Sequence, residues 1–308
     1  MNQGKEPNFI SAVIYVRNNG ATISDFLTYV HESLDRQFTE YEIICVNDAS
    51  TDLSEQKIRE VAKDFSCATT IVNMGYVQGV ELAMNAGCDI AIGDFVYEFD
   101  FADKTWPDDM MEQLYLKMQE GYDIVSACPT GKIKLSSRMF YSIFNRFSNI
   151  KAKIRTEAFR LISRRAMNRA SAMNHAQMYR KAVNANSGLA QTFLEFDPKK
   201  EVSVDKESAK ERRGLAMDSL ILFTDIGYKI AFIMSIAMLV FAAIVGIYTV
   251  IVYATGHPVE GWTPIMIFLA IGFFVLFAIL TFVIKYLSLI LSLSFRRQRY
   301  VVGSVEKL

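Results

Sequence analysis

The sequence predicts an α/β protein: a mostly parallel, Rossmann-like sheet domain followed by a C-terminal hairpin of two transmembrane helices. Three observations carry this. Short β-branched runs alternate with helical periodicities as far as Cys128, and those runs end in clusters of Asn, Asp and Gly. Beyond Lys229 the charged residues thin out, and two long apolar stretches follow.

The first strand is expected at Phe9 to Val16, a β-branched run after Pro7 that stops at the turn cluster Arg17-Asn18-Asn19-Gly20. From Ala21 to Phe38 the residues Phe26, Leu27, Val30 and Leu34 recur at helical spacing, with Thr22 or Ser24 as cap. A second strand, Tyr41 to Val46, ends in Asn47-Asp48-Ala49-Ser50-Thr51-Asp52. A helix from Ser54 to Phe65 and a short strand from Thr69 to Val72 come next. The run Asn73 to Gly79 opens a helix whose small residues Ala83, Ala86 and Gly87 would let it approach the sheet closely. Phe95 to Phe101 is apolar or aromatic except at Glu98 and Asp100, and meets Asp103 and Pro107. Ligands of open α/β sheets sit beyond the strand carboxyl ends, so Asp100 and Asp103 are placed to hold a divalent metal, Mg2+ or Mn2+, and a diphosphate. A helix from Asp108 to Gln119 and a strand from Asp123 to Cys128 close this alternation.

The segment Lys132 to Lys153 is basic and aromatic, with apolar residues at helical spacing and Lys134 and Arg138 between them. In a soluble chain that pattern is an amphipathic core helix with a solvated basic face. Beside a membrane it suits an anionic lipid head group. Residues 171 to 210 give the weakest signal and carry no site expectation. The division expected is a cytoplasmic domain over 1–198, a linker and interfacial amphipathic helix over 199–229, and the spans with a cytoplasmic tail over 230–308.

Ile230 to Ala254 contains no ionisable group except tyrosine, and at ~1.5 Å per residue it is long enough for a ~30 Å hydrocarbon core. Gly261 to Ile284 repeats the pattern, and the span is drawn to Leu291 past Lys285. Thr255 to Glu260, between them, has no Lys or Arg, whereas Arg212, Arg213, Arg296, Arg297 and Arg299 flank the pair. Positive residues stay inside, so both termini are expected on the cytoplasmic side of an inner membrane. A formal net charge of +0 argues against a nucleic-acid partner. Cys45, Cys67, Cys88 and Cys128 have no C-x-x-C spacing and are expected as reduced thiols. Met1 to Pro7 is polar, without the apolar core of a signal peptide.

These pieces, in this order, resemble the family-two glycosyltransferases, and among them the polyprenyl-phosphate group related to dolichyl-phosphate mannose synthase. The residues that carry the likeness are Ser11-Ala12-Val13-Ile14 with Asn18-Asn19, the turn Asn47 to Asp52, Asn73-Met74-Gly75, Phe159-Arg160-Leu161, and the tail Arg297 to Val302. The resemblance implies a GT-A fold, a nucleotide-sugar donor (UDP-linked), a divalent metal, a polyprenyl-phosphate acceptor such as undecaprenyl phosphate, and a homo-oligomer, a tetramer by family habit. It implies nucleotide contacts from Tyr15, Asn18, Asp48, Asn73 and Gly75, and lipid-phosphate contacts from Lys134, Arg138 and Arg160. The chain departs from the family at several points. Aligned on Pro107, Asp103 is the second acid of the Asp-x-Asp metal motif and Phe101 stands at the first, with Asp100 one residue early. Ala49 replaces the glycine of the Asp-Gly-Ser turn. Ala158 stands where the family has an aspartate, with Glu157 beside it, so Glu157 and Asp100 are the catalytic candidates. A regular strand would turn Glu157 away from that position, whereas an irregular backbone would let it reach. The alternative to an enzyme is a degenerate membrane scaffold that binds a nucleotide or a partner subunit.

Overall fold

A computed structural model of the chain describes residues 4–130, 141–142, 144–146, 153–173, 180–198 and 300–308, with a scatter of helical residues between 233 and 290. These fall into two compact units. The first contains an eight-stranded sheet with helices on both faces.

Strands β1 (Ile10–Val16) and β2 (Tyr41–Asn47) are buried throughout, the mark of a parallel sheet covered on both sides. With β3 (Ala68–Met74) and β4 (Phe95–Phe99) they form the parallel half, in the order β4-β1-β2-β3. The other half is mixed. Strand β6 (Phe159–Ser163) runs antiparallel to both β4 and β5 (Ile124–Pro129), and β7 (Gln191–Phe196) pairs parallel to β5 at one edge. At the far edge β8 (Val302–Lys307) lies antiparallel to β3.

Alternation along β1 sorts the two cores. Ile10, Ala12, Ile14 and Val16 face a cluster built on α1 (Ile23–Gln37) and α4 (Met110–Gln119), with Ile58 of α2 (Ser54–Ala62). Val13 and Tyr15 face α3 (Val80–Ile90). That helix lies close to the sheet because of Gly87, where a Cβ would sit 2.5 Å from both Val13 and Val46. In β4, Tyr97 and Phe99 point into the first cluster while Glu98 faces the α3 side. Trp106 fixes the chain just beyond β4, stacking on Phe99 with centroids 5.8 Å apart and meeting Phe159 in a tilted contact at 4.4 Å. Burying each such side chain contributes roughly 2 to 3 kcal/mol, so the segment that carries Asp100 and Asp103 is held from both ends.

Several boundaries differ from expectation for local reasons. Thr22 occupies the α1 N-cap position without capping it, because its hydroxyl donates to the Ala102 carbonyl. The second helix stops at Ala62, short of Phe65. Helix α5 (Arg164–Ala172) follows β6 directly, helix α6 (Arg180–Asn186) and strand β7 occupy the stretch of weak signal, and β8 forms where a tail was expected. Three of the seven strand pairings are antiparallel, so the sheet is mixed. Cys45, Cys88 and Cys128 are buried free thiols, and Cys67 is partly buried and also free.

The second unit consists, among the described residues, of two helical segments. Phe241 stacks on Phe268 at 5.9 Å and Gly272 lies against Met238, so the segments are in contact. Ile233, Ile236, Val240 and Ile244 on one, and Ile265, Leu269, Phe273, Leu276, Leu280, Val283, Leu287 and Ile290 on the other, are exposed large apolar side chains at helical spacing. Among the described residues no helix is long and apolar enough to cross a membrane. Most of both expected spans, the interfacial helix, Lys134 and Arg138 lie outside the described residues.

Candidate active site at the carboxyl ends of the strands

The turns that follow β1 and β2 are tied together by side chains reaching backbone groups. Asn18 has φ 53°, a left-handed conformation that Asn tolerates, and its N–H donates to Ser50 Oγ at 3.1 Å. Its Oδ1 accepts from the Thr51 N–H at 2.9 Å. Asp52 accepts from the Gly20 N–H at 2.7 Å and from the N–H and hydroxyl of Ser54. Burial would raise the Asp52 carboxyl, but the Ser54 hydroxyl and these backbone donors outweigh it and hold its pKa low. Ala49, at φ 50°, occupies the backbone position for which the family turn uses glycine.

Asp48 is the hub of the donor side. It has no exposed surface, and both oxygens are taken: Oδ1 by the Gln78 N–H at 2.8 Å, Oδ2 by the Gly79 N–H at 2.9 Å and by the Tyr15 hydroxyl at 2.9 Å. Tyr15 is pushed well above the usual phenol range by burial, and further by the Asp48 charge, so it stays a donor. Asp48 was expected at the nucleoside. Here it anchors the loop Gly75–Gly79 from within, and Gly79, at φ 84°, starts α3. Asn73 accepts from Asn47 Nδ2 at 2.8 Å and donates to Glu55 and Ser304, while the Gly75 N–H donates to the Val301 carbonyl at 3.0 Å. Tyr15, Asn18, Asp48, Asn73 and Gly75 therefore lie around the ends of three adjacent strands.

Beyond β4 a second set of residues forms a buried ionic network on the α3 side of the sheet. Glu98 and Arg160 are direct cross-strand partners, with Arg160 Nε 2.9 Å from the carboxylate. The same guanidinium lies 3.3 Å from Glu157 and 3.3 Å from Asp100. Arg180, on α6, binds Glu81 of α3 at 2.9 Å, and also Glu98 and Asp100. Burial by itself would lower both guanidinium pKa values, but the surrounding carboxylates raise them, so both stay charged. Lys181 is likewise held up by Tyr141 and Glu157 against the effect of burial. Buried charges persist only when paired and hydrogen-bonded, and here each arginine touches three carboxylates.

This geometry places the remaining candidates. Glu157 reaches the position facing Arg160 because the chain bends at Ala158 before β6 begins, while the Ala158 methyl packs on the apolar cluster. Arg160, expected at a lipid phosphate, is 2% exposed and committed to the three carboxylates. Asp100 is bound by both arginines, whereas Asp103, half-buried, makes no ion pair among the described residues. No group of three His, Cys, Asp or Glu side chains among the described residues converges as a metal-ligand set. Asp100 is thus held by two guanidiniums, while Asp103 stands outside that ionic network among the described residues. Glu81, Glu98 and Arg180 were not expected here. A lone glutamate in an apolar strand is the signal from which Glu98 could have been found, since a buried charge needs a partner. Nothing in its neighbourhood marked Arg180.

The mixed, mostly parallel sheet with helices on both faces is a GT-A-like α/β fold. The profile of Glycosyl transferase family 2 matches residues 11–186, more than half of the sequence, and the chain belongs to that family. It is 32% identical over 194 residues to the uncharacterized glycosyltransferase sll0501 of Synechocystis sp. (strain ATCC 27184 / PCC 6803 / Kazusa), a match covering 61% of this chain and 60% of that protein. A prophage bactoprenol glucosyl transferase homolog of Escherichia coli (strain K12) is 25% identical over 268 residues, covering 84% of this chain and 86% of its own length. The solved structure of the mannosyltransferase PcManGT from Pyrobaculum calidifontis, in complex with GDP-Man and Mn2+, matches with a TM-score of 0.52 at 16% identity. That match covers 70% of this chain and 64% of the other, and it shows a shared fold. The chain is a glycosyltransferase distantly related to the bactoprenol glucosyl transferases.

Proposed function

We propose that the protein is a membrane-bound transferase that moves a sugar from a UDP-sugar to polyprenyl phosphate, undecaprenyl phosphate in a bacterial envelope. The observation that carries this is the convergence of Glu157 and Asp100 on Arg160 beyond β4, in the same sheet as β3 and the Asp48-anchored loop that follows it. An acceptor phosphate oxygen attacks the sugar C1 there, the C1–O bond to the nucleoside diphosphate breaks, and UDP leaves. A phosphate monoester with a second pKa near 6 is already largely ionised at neutral pH, so the step needs positioning more than a base. The ion pair with Arg160 suits Glu157 to orienting rather than to proton abstraction.

Two further observations support the membrane reading. The exposed apolar rows of the second unit need an apolar partner, and lipid supplies one along their whole length. Strand β8 belongs to the same sheet as β1–β4, so a chain that crosses a bilayer after residue 198 must cross it an even number of times before residue 302. A hairpin with the sheet domain and tail both cytoplasmic satisfies this, and the same reading takes homo-oligomers as the working assembly. The test is purified full-length protein with a panel of radiolabelled UDP- and GDP-sugars and undecaprenyl phosphate. Label extracted into organic solvent is expected with one donor. Nucleotide binding without any lipid-linked product would favour the scaffold.

A further inference from the structure

The segment Tyr300–Val302, which follows the apolar second unit in sequence, meets the loop between β3 and α3. Gln78 grips Val301 from both directions: Nε2 donates to the Val301 carbonyl at 2.6 Å, and Oε1 accepts from the Val301 N–H at 2.8 Å. The Gly75 N–H donates to the same carbonyl at 3.0 Å. On its other side the loop is held by Asp48 through the Gln78 and Gly79 N–H groups. Loop Gly75–Gly79 is therefore clamped between Asp48 and Val301, with Tyr76 58% exposed at its tip. The tail has anchors of its own as well. The Tyr300 hydroxyl donates to Asp89 on α3 at 2.9 Å, and Glu306 pairs with Arg59 at 2.7 Å.

We infer that Tyr300–Val302 is a positioning element of the donor site: it sets the Gly75–Gly79 loop for the nucleoside and links nucleotide occupancy to docking of β8. This rests on the nucleotide-sugar reading given above. The loop lies at the carboxyl end of β3, where ligands of such sheets bind. Fixed at one end only, it would have to be ordered by the ligand at the expense of affinity, whereas a loop already held by the tail binds without that loss. Because linkage is reciprocal, bound nucleotide must strengthen tail docking by the factor by which the tail strengthens nucleotide binding. The consequence is that whatever displaces Tyr300–Val302 reaches the donor loop through three hydrogen bonds.

Full-length protein in detergent, titrated with UDP and with GDP by calorimetry, tests this. Gln78→Leu removes both side-chain bonds to Val301 and leaves the Gln78 N–H bond to Asp48 in place. The Kd of whichever nucleotide binds the wild type is expected to weaken about fivefold to thirtyfold, with Tm shifted by no more than ~2 °C. Gln78→Glu, which keeps only the acceptor, should fall between. Amide exchange of Val302–Lys307 should slow on adding nucleotide to the wild type and respond less in Gln78→Leu. Unchanged affinity in Gln78→Leu, with or without a lower Tm, would overturn the inference and leave the transferase reading standing. A wild type that binds neither nucleotide would overturn both.

Discussion

Glu157 and Arg160 are three residues apart in sequence, yet their charged ends meet at 3.3 Å on one face of the sheet. A regular strand sends residues i and i+3 to opposite faces, so the contact exists only because the backbone bends at Ala158. In the transferase proposed above, the bend would let Glu157 serve where the family has an aspartate one position later. Glu157→Gln should keep the bend and lose the charge. A fall in kcat of about tenfold to a hundredfold is expected, with nucleotide Kd within twofold, as read by single-turnover lipid product formation beside calorimetry. Equal losses in both would assign Glu157 to donor binding instead.

Ala158→Asp restores the family residue in name only. The Ala158 methyl packs on the aromatic cluster that includes Phe159, so an aspartate there places a carboxylate against apolar surface. A loss of about 1 to 3 kcal/mol in urea unfolding is expected, with no gain in transfer.

Arg180 holds Glu81, Glu98 and Asp100 together across α3, β4 and α6. Arg180→Met should cost about 3 to 5 kcal/mol, because the buried carboxylates lose a counter-charge. Pairing it with Glu81→Gln should recover part of that loss, a non-additivity that a double-mutant cycle measures directly. Since Asp100 is engaged by both arginines, Asp100→Asn should lower stability without altering any Mn2+ effect on UDP binding. Asp103→Asn is the variant expected to weaken such an effect.

Ala49 sits at φ 50°, where a Cβ is strained by ~1 to 2 kcal/mol, and glycine is not. Ala49→Gly also loosens the unfolded chain by something under 1 kcal/mol, so a small net stabilisation is expected, seen as a Tm rise of a few degrees.

His31 has its pKa lowered, chiefly by burial, with Asp35 and Glu32 pulling the other way. It stacks on Phe65 with centroids 4.2 Å apart. With a folded pKa below the usual ~6.5, the unfolded chain binds the proton more readily, so stability rises with pH through that window and falls as pH drops from about 7 through the folded pKa. Thermal melts between pH 7.5 and 5.5 should show this slope, and His31→Gln should flatten it.

The parallel half of the sheet was legible because its strands are buried on both faces and read as continuous apolar runs, as in Ile10–Val16 and Tyr41–Asn47. The edges were not. Gln191–Phe196 is only partly buried and Val302–Lys307 is largely exposed, so neither had an apolar run to betray it. The nucleotide role expected of Asn18 and Asp48 came from the family resemblance, while the turns that hold the two residues were legible from their clusters of Asn, Asp and Gly. The ionic network was not, because Glu81, Glu98, Arg160 and Arg180 come from four separate elements, and only tertiary structure makes partners of them.

Strand β8 also sets an order in time. The open edge of β3 is synthesised long before its partner, and at ~5 to 20 residues per second the ribosome takes roughly 10 to 45 s to go from Met74 to Val302. Throughout that interval β3 presents unpaired backbone groups, and from Ile230 onward the nascent chain adds long apolar stretches as well, a combination prone to strand-to-strand aggregation. A premature stop between residues 198 and 302 would leave a sheet that is still sticky along the β3 edge. Expression of such truncations should depend on chaperones in a way that full-length expression does not.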